Sequence, residues 1–125
     1  MAGRRKAVTD LERALKGEVL AGQRFVAEND PAYMELFATF LSGSFGRSDN
    51  QVDQRTRELL IIAIQAVRCD LDIVRSHIRR SLAIGTPPKM ILETLEIAGL
   101  AGGVGALYSG AAVLAEELRE AGLSL

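Results

Sequence analysis

At 125 residues the chain is long enough to bury a sizeable core, and 48% apolar with 25% charged residues is the balance of an ordinary globular protein. A formal net charge of −1 and a sequence pI near 5.8 supply no overall positive field, so nucleic-acid binding is not expected. The single cysteine excludes an intrachain disulfide and fits a reducing compartment, so a cytoplasmic location is expected.

Charges interrupt the first twenty residues and no apolar run follows them, so a secretory signal is not expected. Arg4-Arg5-Lys6 is a short basic start, and residues 1–8 read as a disordered tail. Thr9-Asp10-Leu11-Glu12 has capping-box spacing, and Leu11, Leu15, Val19 and Leu20 follow at helical intervals. Asp30-Pro31 marks a second start, followed by an apolar stripe of Met34, Phe37, Phe40 and Leu41 that ends at Gly43. Residues 42–50, rich in Gly, Ser, Asp and Asn, read as a loop.

Asp53 can cap a third helix, whose Leu59-Leu60-Ile61-Ile62-Ala63-Ile64 run leaves little polar face and predicts a central position. Asp70 opens a fourth helix and Gly85 supplies its left-handed stop. Thr86-Pro87 begins a fifth, and Gly105 to Glu120 reads as a sixth before Gly122. No alternating strand pattern occurs. The expected fold is all-α, about six helices in a single domain over residues 1–125.

Ile97 to Ala115 holds no charged residue, close to the length that spans a bilayer. Its five glycines weaken such a span by roughly 1 kcal/mol each relative to alanine. Gly102-Gly103-Val104-Gly105 reads as a break between two helices, and the small residues around it suit close helix approach. No membrane span is expected.

Chemistry concentrates between Asp53 and Gly85. His77 is the only histidine, and it follows Glu58 by nineteen positions, on the next predicted helix. An acid and an imidazole on packed helices can form a proton-transfer pair. The same two residues can also be a paired polar contact inside a helical core. Arg75, Arg79 and Arg80 can be an ordinary solvated helix face.

Arg57-Glu58-Leu59, the His77 helix, the eight-residue step from His77 to Gly85, and the following Glu93 and Gly102 resemble the carboxymuconolactone decarboxylase family. The resemblance runs from about Leu15 to Leu118 and is most specific from Asp53 to Gly102. It implies the helical fold shared with alkylhydroperoxidase D-like proteins, assembly into homo-oligomers (trimers or hexamers), and active sites near subunit contacts.

The peroxidase branch of that superfamily carries Cys-x-x-Cys-x-x-x-His, with a glutamate twelve residues before the first cysteine. Laid on this chain, the glutamate is Glu58 and the histidine His77, while the cysteine slots hold Asp70 and Ile73. Two-cysteine chemistry is excluded. Cys69 stands one residue, about 100° of helix, from the first slot. Arg68 favours a thiolate there, whereas Asp70 and Asp72 oppose it. A small buried or semi-buried filler is the expected role.

The decarboxylase branch lacks the cysteines and keeps the histidine. What it implies is a cofactor-free lyase, or isomerase, acting on a small carboxylated lactone or related anionic organic acid, as in decarboxylation of 4-carboxymuconolactone. His77 would transfer the proton, Glu58 would orient its ring, and Arg57, Arg75 and Arg80 are candidates to hold a substrate carboxylate. Neither a metal nor an organic cofactor is implied.

The chain departs from the family where a Tyr-Ala-Gly-x-Pro-Ala segment is usual, reading Leu100-Ala101-Gly102-Gly103-Val104-Gly105, and it has no tryptophan. Two other readings stay open. One is an alkylhydroperoxidase- or peroxiredoxin-like antioxidant enzyme using Cys69 with an external thiol. The other is a non-catalytic oligomer that binds a small molecule or partner protein.

Overall fold

Seven helices and no strand make up the residues that the computed structural model describes, 2–15 and 17–125. They are α1 (Ala2–Leu15), α2 (Ala21–Asn29), α3 (Pro31–Phe45), α4 (Gln54–Val67), α5 (Leu71–Ala83), α6 (Pro88–Gly102) and α7 (Val104–Ala121). The all-α expectation holds, with one helix more than the sequence reading gives. Two compact units make up the chain, residues 1–51 and 52–125.

In the first unit α1, α2 and α3 pack on one another around Ala7, Val8, Leu11, Leu15, Ala27 and Met34. Of the expected tail, residues 2–8 are instead helix, because Ala7 and Val8 begin the same stripe as Leu11 and Leu15, and Met1 lies outside the described residues. The Thr9–Glu12 capping box accordingly lies inside α1 and caps nothing.

A separate α2 follows the non-helical Gly17–Leu20 segment, so the predicted helix through Leu20 is interrupted. Glycine at 17 weakens helix there. The Leu20 amide, which opens α2, donates to Gln23 Oε1 at 2.8 Å. That is one half of a capping box; the other half is missing because leucine has no acceptor.

Asp30 accepts from the Tyr33 amide at 3.1 Å and starts α3 as read. The helix continues past Gly43 to the buried Phe45, so the loop begins at Gly46 rather than Ser42. Met34 is buried, but Phe40 is 77% exposed and leaves the predicted stripe.

The second unit is α4 to α7. Asp53 caps α4 by accepting from the Thr56 amide at 2.7 Å, and Asp70 caps α5 by accepting from the Ile73 amide at 3.4 Å. The core joins Ile62 and Ala66 of α4 to Val74 and Ile78 of α5, Ile91 and Leu95 of α6, and Val113 and Leu114 of α7. Burying each large aliphatic side chain contributes roughly 1.5–3 kcal/mol relative to leaving it exposed.

Small residues let these helices approach within the unit. A Cβ added to Gly110 would stand 2.5 Å from Leu95 Cδ2, and one on Gly102 would stand 2.4 Å from Val67 Cγ2. The uncharged stretch breaks where the glycines predict, α6 ending at Gly102 and Gly103 taking φ +108° before α7. No described helix is long and apolar enough to cross a membrane.

The all-round burial expected of α4 does not occur: Leu60, Ile64 and Val67 are 50%, 57% and 42% exposed on the isolated chain. Ile97 and Leu100 of α6 and Val104 and Tyr108 of α7 are exposed too.

Candidate active site

Glu58 sits in the first half of α4 and His77 midway along α5, and both face inward because each shares a helix face with core residues. Glu58 precedes Ile62 and Ala66 by one and two turns, and His77 lies between Val74 and Ile78. Those aliphatic contacts clamp α4 on α5 and bring the two polar side chains together. Glu58 is 2% exposed and His77 7%.

His77 Nδ1 is hydrogen-bonded to Glu58 Oε2. A carboxylate accepts, so Nδ1 carries the proton in this contact, and Nε2 keeps its lone pair when the ring is neutral. Buried polar groups persist when partnered, and here each satisfies the other. The sequence-predicted pair is brought into direct contact.

The predicted arginines separate. Arg80, one turn beyond His77 on α5, places Nη1 3.7 Å from Glu58 Oε1, and its side chain is 9% exposed. Glu58 therefore has the imidazole at one oxygen and a guanidinium near the other. Arg57 is half-buried beside Glu58 in sequence, about 100° around α4 from it.

Arg75 is committed elsewhere. Its Nη2 donates to Glu116 Oε2 at 2.6 Å and its Nη1 to Glu117 Oε1 at 3.1 Å, both on α7. Two positions from His77 is some 200° around α5, so Arg75 faces α7 while His77 faces α4.

A second buried carboxylate emerges there that the sequence reading misses. Glu117 is 3% exposed and accepts from Arg79 Nε and Nη2, each at 2.9 Å, as well as from Arg75. The Arg79 hydrogen bonds, then those of Arg75, hold its carboxyl below the ordinary range, against burial, which acts the other way. Arg79 is thus no simple solvated residue. Its four-residue spacing from Arg75 was visible, but not the acid opposite them.

Cys69 is exposed, contrary to the expected buried filler. It occupies the turn between α4 and α5 with φ +61°, a left-handed backbone that side chains disfavour. Asp70 and Ile73, in the cysteine slots, form the N-cap contact of α5. Among the described residues no group of three or more His, Cys, Asp and Glu could hold a metal ion.

The family model of the carboxymuconolactone decarboxylase family matches residues 31–116, more than half of the chain. The chain belongs to that family. Membership makes it a carboxymuconolactone decarboxylase-like or alkylhydroperoxidase D-like protein, and the Glu58–His77 contact lies inside the matched residues. Neither the search of curated proteins nor that of solved structures found a match.

Proposed function

We propose that the protein is a cofactor-free lyase, or isomerase, that moves a proton through His77 on a small carboxylated lactone or related organic acid. The observation that carries this reading is the buried Glu58 carboxylate at His77 Nδ1, which orients the ring and leaves Nε2 to exchange a proton with substrate.

In a decarboxylation the carbon–carboxylate bond breaks, CO2 departs, and the electron pair delocalises into the conjugated lactone carbonyl. Protonated His77 then delivers its Nε2 proton to carbon. The Glu58 carboxylate at Nδ1 keeps the ring oriented during the transfer, and Arg80 beside Glu58 keeps that carboxylate placed. Arg57, next to Glu58 in sequence and half-buried, is the candidate to hold the substrate carboxylate by a bidentate contact.

Turnover of 4-carboxymuconolactone and related lactone acids by the native chain and by His77→Ala tests the reading. Activity that survives the substitution unchanged overturns it.

A peroxidase reading is favoured by one observation, the exposed Cys69 thiol. It requires an external thiol as reductant, and Cys69→Ser would abolish peroxide turnover while sparing lyase activity. The exposed Leu60, Ile64, Leu100 and Tyr108 support self-association into a homo-oligomer, which sedimentation of the full chain would test.

A further inference from the structure

The first unit carries a cleft that the His77 chemistry does not use, made from residues before the family match. Its volume is about 510 Å³, within the range of small-molecule sites. One wall is a stripe of α1, with Arg4 and Arg5 at one end, then Val8 and Thr9. Helical spacing places these side chains along one side of α1.

The charges of the cleft divide into two groups. At its far end Glu12 and Arg24 compensate each other, Oε1 to Nη2 3.7 Å. Lys6 and Arg13, the other cations described on α1, are both taken up by Asp10. Arg4 and Arg5 have no carboxylate partner among the described residues. Glu28 of α2, half-buried in the opposite wall, has no cation.

Each element of this lining selects a chemistry. Two uncommitted guanidinium forks match a doubly charged oxyanion, and a phosphate monoester carries roughly that charge near pH 7. Val8, 9% exposed, offers an apolar floor. The Glu28 carboxylate repels a second anionic group, and with the Thr9 hydroxyl it accepts hydrogen bonds from ligand hydroxyls. We propose that this cleft binds a small phosphate monoester with a hydroxylated body, its phosphate at Arg4 and Arg5 and its hydroxyls toward Glu28 and Thr9.

The test is calorimetric titration of the full chain with glucose 6-phosphate, with inorganic phosphate and glucose as head and body alone. Glucose 6-phosphate is expected to bind at one site per chain, about ten-fold or more tighter than either part. Replacing both forks, Arg4→Gln with Arg5→Gln, should weaken it about ten-fold or more, and Glu28→Gln about three-fold without affecting inorganic phosphate. His77→Ala should leave the binding unchanged, which separates this site from the lyase reading. Arg4 and Arg5 are exposed, so the double variant should keep its helical circular dichroism. The proposal is overturned if no saturable binding occurs, if inorganic phosphate binds as tightly, or if the double variant binds as the native chain does.

Discussion

Helix α5 carries two buried carboxylate contacts on its two sides, and they differ in what stands opposite the acid. Toward α4, Glu58 meets an imidazole and has one guanidinium nearby at 3.7 Å. Toward α7, Glu117 is gripped by two guanidinium groups, accepting hydrogen bonds from Arg75 and Arg79. Burial is nearly equal, 2% and 3%. Arginine stays charged at any physiological pH, so the Glu117 cluster is a fixed staple between α5 and α7. Imidazole is a side chain suited to proton transfer, so the Glu58 contact is the one proposed to do chemistry. Burial alone does not separate the proposed site from the staple; the chemistry of the partner does.

The contrast is broken most directly by His77→Ala. Loss of a positioned acid/base is expected to lower turnover by about 10²–10⁴-fold with the fold intact, measured by steady-state kinetics beside circular dichroism. Glu117→Ala should do the reverse. Removing a buried partner costs about 3–5 kcal/mol when the remaining charge is fully buried. Arg75 and Arg79 keep side-chain exposures of 33% and 47%, so a loss of about 1–3 kcal/mol in denaturant unfolding is expected, with kcat little changed.

Acid titration sharpens the same comparison. The Glu117 carboxyl is held below its ordinary value near 4.5, so the folded state binds its proton less readily than the unfolded chain. Its stabilisation is fully present above that ordinary value and is lost as pH falls through it toward the lower folded value. The stability difference between the native chain and Glu117→Gln should therefore shrink below about pH 4.5 and stay constant above pH 6. A difference that grows on acidification would break the staple assignment.

Arg80 and Arg75 then form an internal control. Arg80→Gln, beside Glu58, is expected to cost about ten-fold in kcat through a less well-placed carboxylate, whereas Arg75→Gln should cost stability and spare kcat. Equal effects on kcat would remove the distinction between the two sides of α5. The smallest effect belongs to the turn joining α4 and α5. Cys69→Gly relieves a left-handed side-chain backbone worth roughly 1 kcal/mol, partly offset by greater freedom of the unfolded chain, and thermal unfolding should show a small rise in Tm.

The sequence by itself determined the all-helical class, the caps at Asp30, Asp53 and Asp70 and the break at Gly102-Gly103, and it singled out Glu58 and His77 as candidates. The class, the caps and the break are local signals; the Glu58–His77 spacing is one that resembles the family's, and their contact is seen only in the structure. Tertiary structure decided the rest. Ala7 and Val8 become core only because α2 and α3 supply a surface for them, so a basic start that reads as a tail is a helix. Arg75, Arg79 and Arg80 look alike in sequence, and only the helix opposite each side of α5 divides them between Glu117 and Glu58. Local pattern fixes which face a residue shares; the identity of what it meets belongs to packing between segments far apart in the chain.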